Sequence, residues 1–289
     1  MSVRVLLAVA LLTTLSACSG FAPTLSQDQQ TQVSRIDLYH ELPADRLQVP
    51  RKSSSSTRSS VSVGIGSGFK ISGLFVGVLF DIPLNRERND APVTQVDRVR
   101  ELLQGYSFQP VIEDALREAA LYSDTPVLSD PRTIPVGSTP EDLLATSETG
   151  AVLTATSGYG MSPRGDAIEI QLQFALQLAA GGDAVRRKAV YQSPAANWSR
   201  ELLVSELEKG AREVVELMLL DLRDHRSTEE LAAYLTTLDT HLGKRSTSTT
   251  DAYAVGKSRD DSVGYYRLKS GDLYALAHNQ PLQLHRSAN

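Results

Sequence analysis

The order of elements along the chain predicts an α+β fold: a three-stranded antiparallel meander covered by a long amphipathic helix, with flanking helices and a glycine-rich hairpin. Three observations predict it. Ile168, Ile170, Leu172, Phe174, Leu176 and Leu178 alternate with Glu169, Gln171, Gln173 and Gln177 among others, which is the pattern of a strand with one covered face. Two further runs of strand character flank it, Gly150 to Ser157 and Val185 to Tyr191, across turns that carry Gly158, Gly160, Pro163, Gly165 and then Gly181-Gly182-Asp183. After Pro194, the residues Leu203, Leu207, Ala211, Val214, Val215, Met218, Leu219 and Leu222 form one apolar stripe at helical spacing, the natural cover for the sheet.

Composition narrows the classes around that fold. The chain has 289 residues, is 41% hydrophobic and 22% charged, and carries a formal net charge of −5, which excludes a mostly disordered chain and argues against a nucleic-acid footprint. It holds one cysteine and five histidines. One cysteine closes no intramolecular disulfide and builds no thiolate cluster.

Met1 to Ala17 has the build of a signal peptide: Arg4, an apolar run from Val5 to Leu12, then Thr13 and Thr14 leading into Leu15-Ser16-Ala17-Cys18. The run is far short of the roughly 20 residues a spanning helix needs. Leu15-Ser16-Ala17-Cys18 resembles the lipobox of bacterial lipoproteins at all four positions, and the chain's one cysteine stands where that class requires it. The resemblance covers about twenty residues at the start of the chain. It implies cleavage between Ala17 and Cys18 and a lipid on Cys18; each buried methylene of such a lipid contributes about 0.8 kcal/mol of membrane binding. Ser19 follows, not the aspartate that signals inner-membrane retention in enteric members of the class. An outer-membrane protein facing the periplasm is therefore implied.

Residues 18–60 read as a polar tether, rich in Gln and ending in Arg51-Lys52-Ser53-Ser54-Ser55-Ser56-Thr57-Arg58. Ile36, Leu38, Tyr39 and Leu42 interrupt it with the makings of a short docking strand. Residues 61–90 change texture: Val61, Val63 and Ile65 alternate, Gly66-Ser67-Gly68 breaks the pattern, and a branched and aromatic run follows. This reads as a glycine-rich apolar hairpin whose Phe69, Leu74, Phe75 and Phe80 are candidates to contact a protein partner or a membrane. A phosphate loop is excluded because Gly66 to Ile71 lacks the Lys-Ser/Thr ending.

The α+β domain spans residues 91–243. Thr94 is placed to cap a helix through Val96, Val99, Leu102 and Leu103 that Gly105 closes. A second helix, Gln109 to Tyr122, sets Ile112, Ala115, Leu116 and Ala119 on one face. Pro126, Pro131 and Pro135 hold an extended crossing, and Ser138-Thr139-Pro140-Glu141-Asp142 starts a short third helix. The meander and its covering helix follow. Ser227-Thr228-Glu229-Glu230 then reads as a capping box for a helix through Leu231, Tyr234, Leu235, Leu238 and Leu242. Residues 244–261 read as a linker and 262–289 as a tail of short strands.

No catalytic constellation emerges. The five histidines are widely separated and read as surface residues, no Gly-x-Ser-x-Gly elbow is present, and lipid claims the one thiol. Glu113-Asp114 and Glu141-Asp142 read as an exposed helix face and as first-turn acids. No metal or other cofactor is called for. Tyr266 to Ala277, through Ser270-Gly271-Asp272, resembles the opening of a LysM module and implies peptidoglycan binding, although it lacks one residue between Asp272 and Leu273 and little chain remains for the rest of the module. A β-hairpin turning at Lys269-Ser270-Gly271-Asp272 explains the same residues. In outline the domain is similar to small periplasmic α/β domains of lipoproteins that assist envelope assembly. The expected role is a non-enzymatic binding factor for an envelope protein, through the hairpin or an exposed sheet edge, with a peptidoglycan binder or a hydrolase as alternatives.

Overall fold

The computed structural model describes residues 34–43, 45–48, 92–123, 126–162, 165–179, 184–194, 198–224, 226, 228–241, 247–278 and 280–284. The expected lipobox with Ala17 and Cys18, and the expected hairpin with Phe69, Leu74, Phe75 and Phe80, lie outside the described residues.

The fold class differs from the expected three-stranded meander under a helix. The strands expected around Leu172 are the middle of one mixed sheet of eleven strands. In chain order these are β1 (Arg35–Glu41), β2 (Val127–Leu128), β3 (Arg132–Thr133), β4 (Ala151–Met161), β5 (Ala167–Leu178), β6 (Val185–Pro194), β7 (Leu235–His241), β8 (Thr247–Lys257), β9 (Val263–Leu268), β10 (Leu273–Ala277) and β11 (Leu282–Gln283). Across the sheet they run β11-β7-β8-β9-β10-β6-β5-β4-β1-β2, and β3 also pairs with β1. Five helices accompany them among the described residues: α1 (Pro92–Leu102), α2 (Gln109–Tyr122), α3 (Pro140–Ala145), α4 (Arg200–Arg223) and α5 (Thr228–Ala232).

Two regions account for the added strands. Residues 35–41, placed in the expected tether, form β1, parallel to β4 with Leu38 opposite Leu153; Ile36 and Leu38 are fully buried. The helix expected through Leu231 to Leu242 is only the short α5, after which the chain extends as β7. Leu235 and Leu238 fit helical spacing, but Thr236, Thr237 and Thr240 are β-branched and favour a strand once a neighbour exists. That neighbour is β8, which occupies most of the expected linker and pairs with β7 from Leu235↔Tyr253 to His241↔Thr247.

The main core lies between β4, β5 and β6 and the helices α1, α2 and α4. Ile168, Ile170 and Leu172 from β5 meet Leu203, Leu207, Val214 and Met218 from α4, all fully buried. Gly210 lets the helix come close. A Cβ there would lie 2.5 Å from Ile170 Cδ1 and 2.6 Å from Tyr191 Cδ1. Gly210→Ala should therefore lower stability by about 1–3 kcal/mol through overpacking, against the helix propensity that alone favours alanine by about 1 kcal/mol. Urea unfolding would show it, and an unchanged or raised midpoint would refute the close approach.

A second core forms on the opposite face because the sheet coils. Along β10, Leu273 and Ala275 join the main core, while Tyr274 and Leu276 point the other way, to Val190, Ala252, Leu268 and Leu282. The coiling brings β11, at one end of the strand order, back over β6. Gln283 N–H donates to Gln192 Oε1 at 3.1 Å, and Gln192 Nε2 donates to the Gln283 carbonyl at 2.8 Å. At the other end of the sheet α3 packs Leu143 against Tyr39 and Val152. The whole of β4 is thereby buried on both faces.

Candidate functional site

A groove of about 270 Å³ lies between α2, α4 and the β8–β9 turn. Ala115 and Ala119, one turn apart on α2, keep that helix face shallow, and Val215 and Leu219 of α4 complete the apolar floor. At its rim the α2 stripe ends and leaves Tyr122 72% exposed, a large side chain of the kind that protein surfaces use for contact. Glu118, Glu216 and Arg212 form charged walls.

Two carboxylates in the groove differ sharply. Glu213 on α4 accepts a hydrogen bond from the Tyr265 hydroxyl at 2.7 Å, yet burial holds its carboxyl above the usual range, and the neighbouring Asp260 and Glu216 charges add to the rise. Asp260 lies in the turn and is held well below the usual range by Ser258 Oγ at 2.6 Å, Ser262 Oγ at 2.8 Å and Ser262 N–H at 3.1 Å. Those donors close the turn, whose next residue, Asp261, has φ +58°. Lys209 Nζ reaches the same turn through Ser262 Oγ at 2.7 Å. The groove thus offers an apolar floor with fixed polar groups at one end, a geometry for holding a side chain or a peptide segment.

A serine and a histidine do meet elsewhere. His40 Nε2 lies 2.9 Å from Ser157 Oγ, but both residues are buried, at 5% and 0% exposure. Asp37 does not complete a triad. It stands three residues away on β1, on the opposite face, where Ser147 Oγ donates to it at 2.6 Å. Burial pushes the His40 imidazole down to about 4. The pair is a neutral polar contact within the core, and His40 is not the surface residue the sequence predicts.

The remaining sequence candidates separate as follows. Thr139 and Asp142 form a reciprocal capping box on α3, with Asp142 N–H to Thr139 Oγ1 at 3.2 Å and Thr139 N–H to Asp142 Oδ2 at 2.9 Å. The LysM-like residues form the turn between β9 and β10, and Leu273 to Ala277 is a buried strand where the module would need a helix. Among the described residues, no three His, Cys, Asp or Glu side chains converge as metal ligands. No described helix is long and apolar enough to cross a membrane. Sequence reasoning missed Glu213 and Tyr265; the small pair Ala115 and Ala119 facing the α4 stripe was the available signal for the groove.

No family model, curated protein or solved structure matches this chain.

Proposed function

We propose that the protein is an outer-membrane lipoprotein facing the periplasm, and that it acts without catalysis as a binding or assembly factor for an envelope protein complex. The observation that carries this reading is the four-position lipobox match at Leu15-Ser16-Ala17-Cys18, with the chain's sole cysteine at the lipidation site. The groove between α2 and α4, with the exposed Tyr122 at its rim, supports the binding part. The apolar segment 61–90, through Phe69, Leu74, Phe75 and Phe80, adds a second contact for partner or membrane.

Lipid labelling tests the anchor. Cells given a tagged fatty acid should label the wild-type protein, whereas Cys18→Ser should lose the label and retain residues 1–17 as uncleaved precursor. Normal cleavage and labelling of that variant would overturn the proposal.

A further inference from the structure

The outer edge of β7 is open where the sheet would be expected to protect itself. Among the described residues, β7 has β8 on one side, and on the other only β11, which pairs Leu282 with Thr240 and Gln283 with His241. Leu235 to Asp239 therefore has no strand beside it. Ala254 N–H donates to the Tyr234 carbonyl at 3.0 Å, and this sets the alternation of the antiparallel pair. Thr236 and Leu238 bond to β8, while Leu235 and Thr237 turn N–H and C=O outward.

Edges of this kind are commonly blunted by lysine, proline or a bulge. Leu235-Thr236-Thr237-Leu238-Asp239 has neither lysine nor proline, and its one register irregularity in this hairpin region lies on β8 at Ala254 to Gly256. Tyr234 and Leu235 are large apolar side chains at 49% and 53% exposure. We propose that this edge receives an extended, cationic strand from a protein partner, which continues the sheet beyond β7. The proposal rests on the binding role above only in taking the partner to be a protein.

Charge selects the occupant. Glu229 on α5 and Asp239 on β7 itself are exposed. The nearby cations are engaged: Arg226 Nε lies 2.8 Å from Asp224, and Lys269 Nζ lies 2.8 Å from Asp251. A strand carrying lysine or arginine is favoured there and an acidic one is opposed. Pairing with a second copy is blocked in one register. A two-fold pairing centred on Thr237 would set Tyr234 of the second copy opposite Thr240, the place Leu282 already holds.

The test uses the full mature chain and three synthetic peptides: acetyl-Lys-Thr-Val-Thr-Val-Lys-amide, its counterpart with glutamate at both lysine positions, and the lysine peptide N-methylated at every backbone amide, which leaves neither edge able to pair. At saturation the lysine peptide should slow amide exchange at Leu235 and Thr237 by about ten-fold or more, and the glutamate peptide should bind about ten-fold more weakly. The methylated peptide should give no protection, and it leaves the protein unaltered, so a folding defect cannot mimic the result. Unchanged exchange at Leu235 and Thr237, or protection at the α2–α4 groove instead, would overturn the proposal. So would concentration-dependent self-association that protects these amides without peptide, which would assign the edge to a second copy. None of these outcomes touches the lipid on Cys18, which labelling scores separately.

Discussion

Replacing Arg267 by methionine is expected to lower the unfolding free energy by about 3–5 kcal/mol, because it takes from the buried Asp221 carboxylate its closest cation and leaves two buried aspartates under-compensated. Arg267 reaches from β9 to the last turn of α4, where its Nη2 donates to Asp221 Oδ1 and lies 3.4 Å from Asp224 Oδ2. Arg187 of β6 approaches Asp221 from the other side, Nε to Oδ2 at 3.6 Å. These four side chains are only 3–5% exposed. Asp224 is the C-cap of α4 and also takes Arg226 Nε at 2.8 Å. The two sheet arginines thus neutralise two aspartates and sit at the negative end of the helix dipole, tying the covering helix to β6 and β9. Urea titration near pH 7 would read the effect. A loss below about 1 kcal/mol would show that the cluster contributes no more than a surface pair.

The second large effect is a dependence on pH through His40. An unfolded histidine titrates near 6.5, whereas burial holds His40 near 4 in the folded chain. As pH falls from 6.5 to 4, the unfolded state binds a proton that the native state refuses, so stability falls with falling pH across that window. The contribution amounts to about 3 kcal/mol when fully lost. His40→Asn removes the titrating group and keeps a polar side chain toward Ser157, 2.9 Å from the imidazole in the native protein. Between pH 7 and pH 4 the wild type should therefore lose about 3 kcal/mol more than the variant. Parallel stability curves for the two proteins would show that His40 is protonated or exposed in the native state.

What the sequence made legible follows from the range of the interactions concerned. The period-two run of β5 and the apolar stripe of α4 are local patterns, and both elements stand where those patterns predict. β1 was legible only as a short docking strand at Ile36, Leu38 and Tyr39; its place in the main sheet was not, because its partner β4 is more than a hundred residues away. β7 was hidden by an ambiguity of spacing. Leu231, Leu235 and Leu238 fit a helix face, and only pairing with β8 turns the segment into a strand. The second core could not be inferred from any one segment, since Tyr274 and Leu276 need the coiling of the sheet to become buried. Arg187 lies between Arg186 and Lys188, and its inward position becomes sensible only with Asp221 opposite it.

The candidate site divides in the same way. Local letters carry the lipobox, which needs no fold to be recognised. The groove and the β7 edge are products of tertiary arrangement, assembled from α2, α4 and the β8–β9 turn in one case and, in the other, from the absence among the described residues of a neighbour beyond Leu235 to Asp239.

The central claim is that this fold is held on a membrane by lipid at Cys18. Mass spectrometry of the N-terminal peptide, from protein isolated out of the outer-membrane fraction, tests it most directly. The predicted result is a chain that begins at Cys18 and carries a diacylglyceryl group, with Met1 to Ala17 removed. A free Cys18 thiol, or a mature chain that begins at another residue, would contradict it.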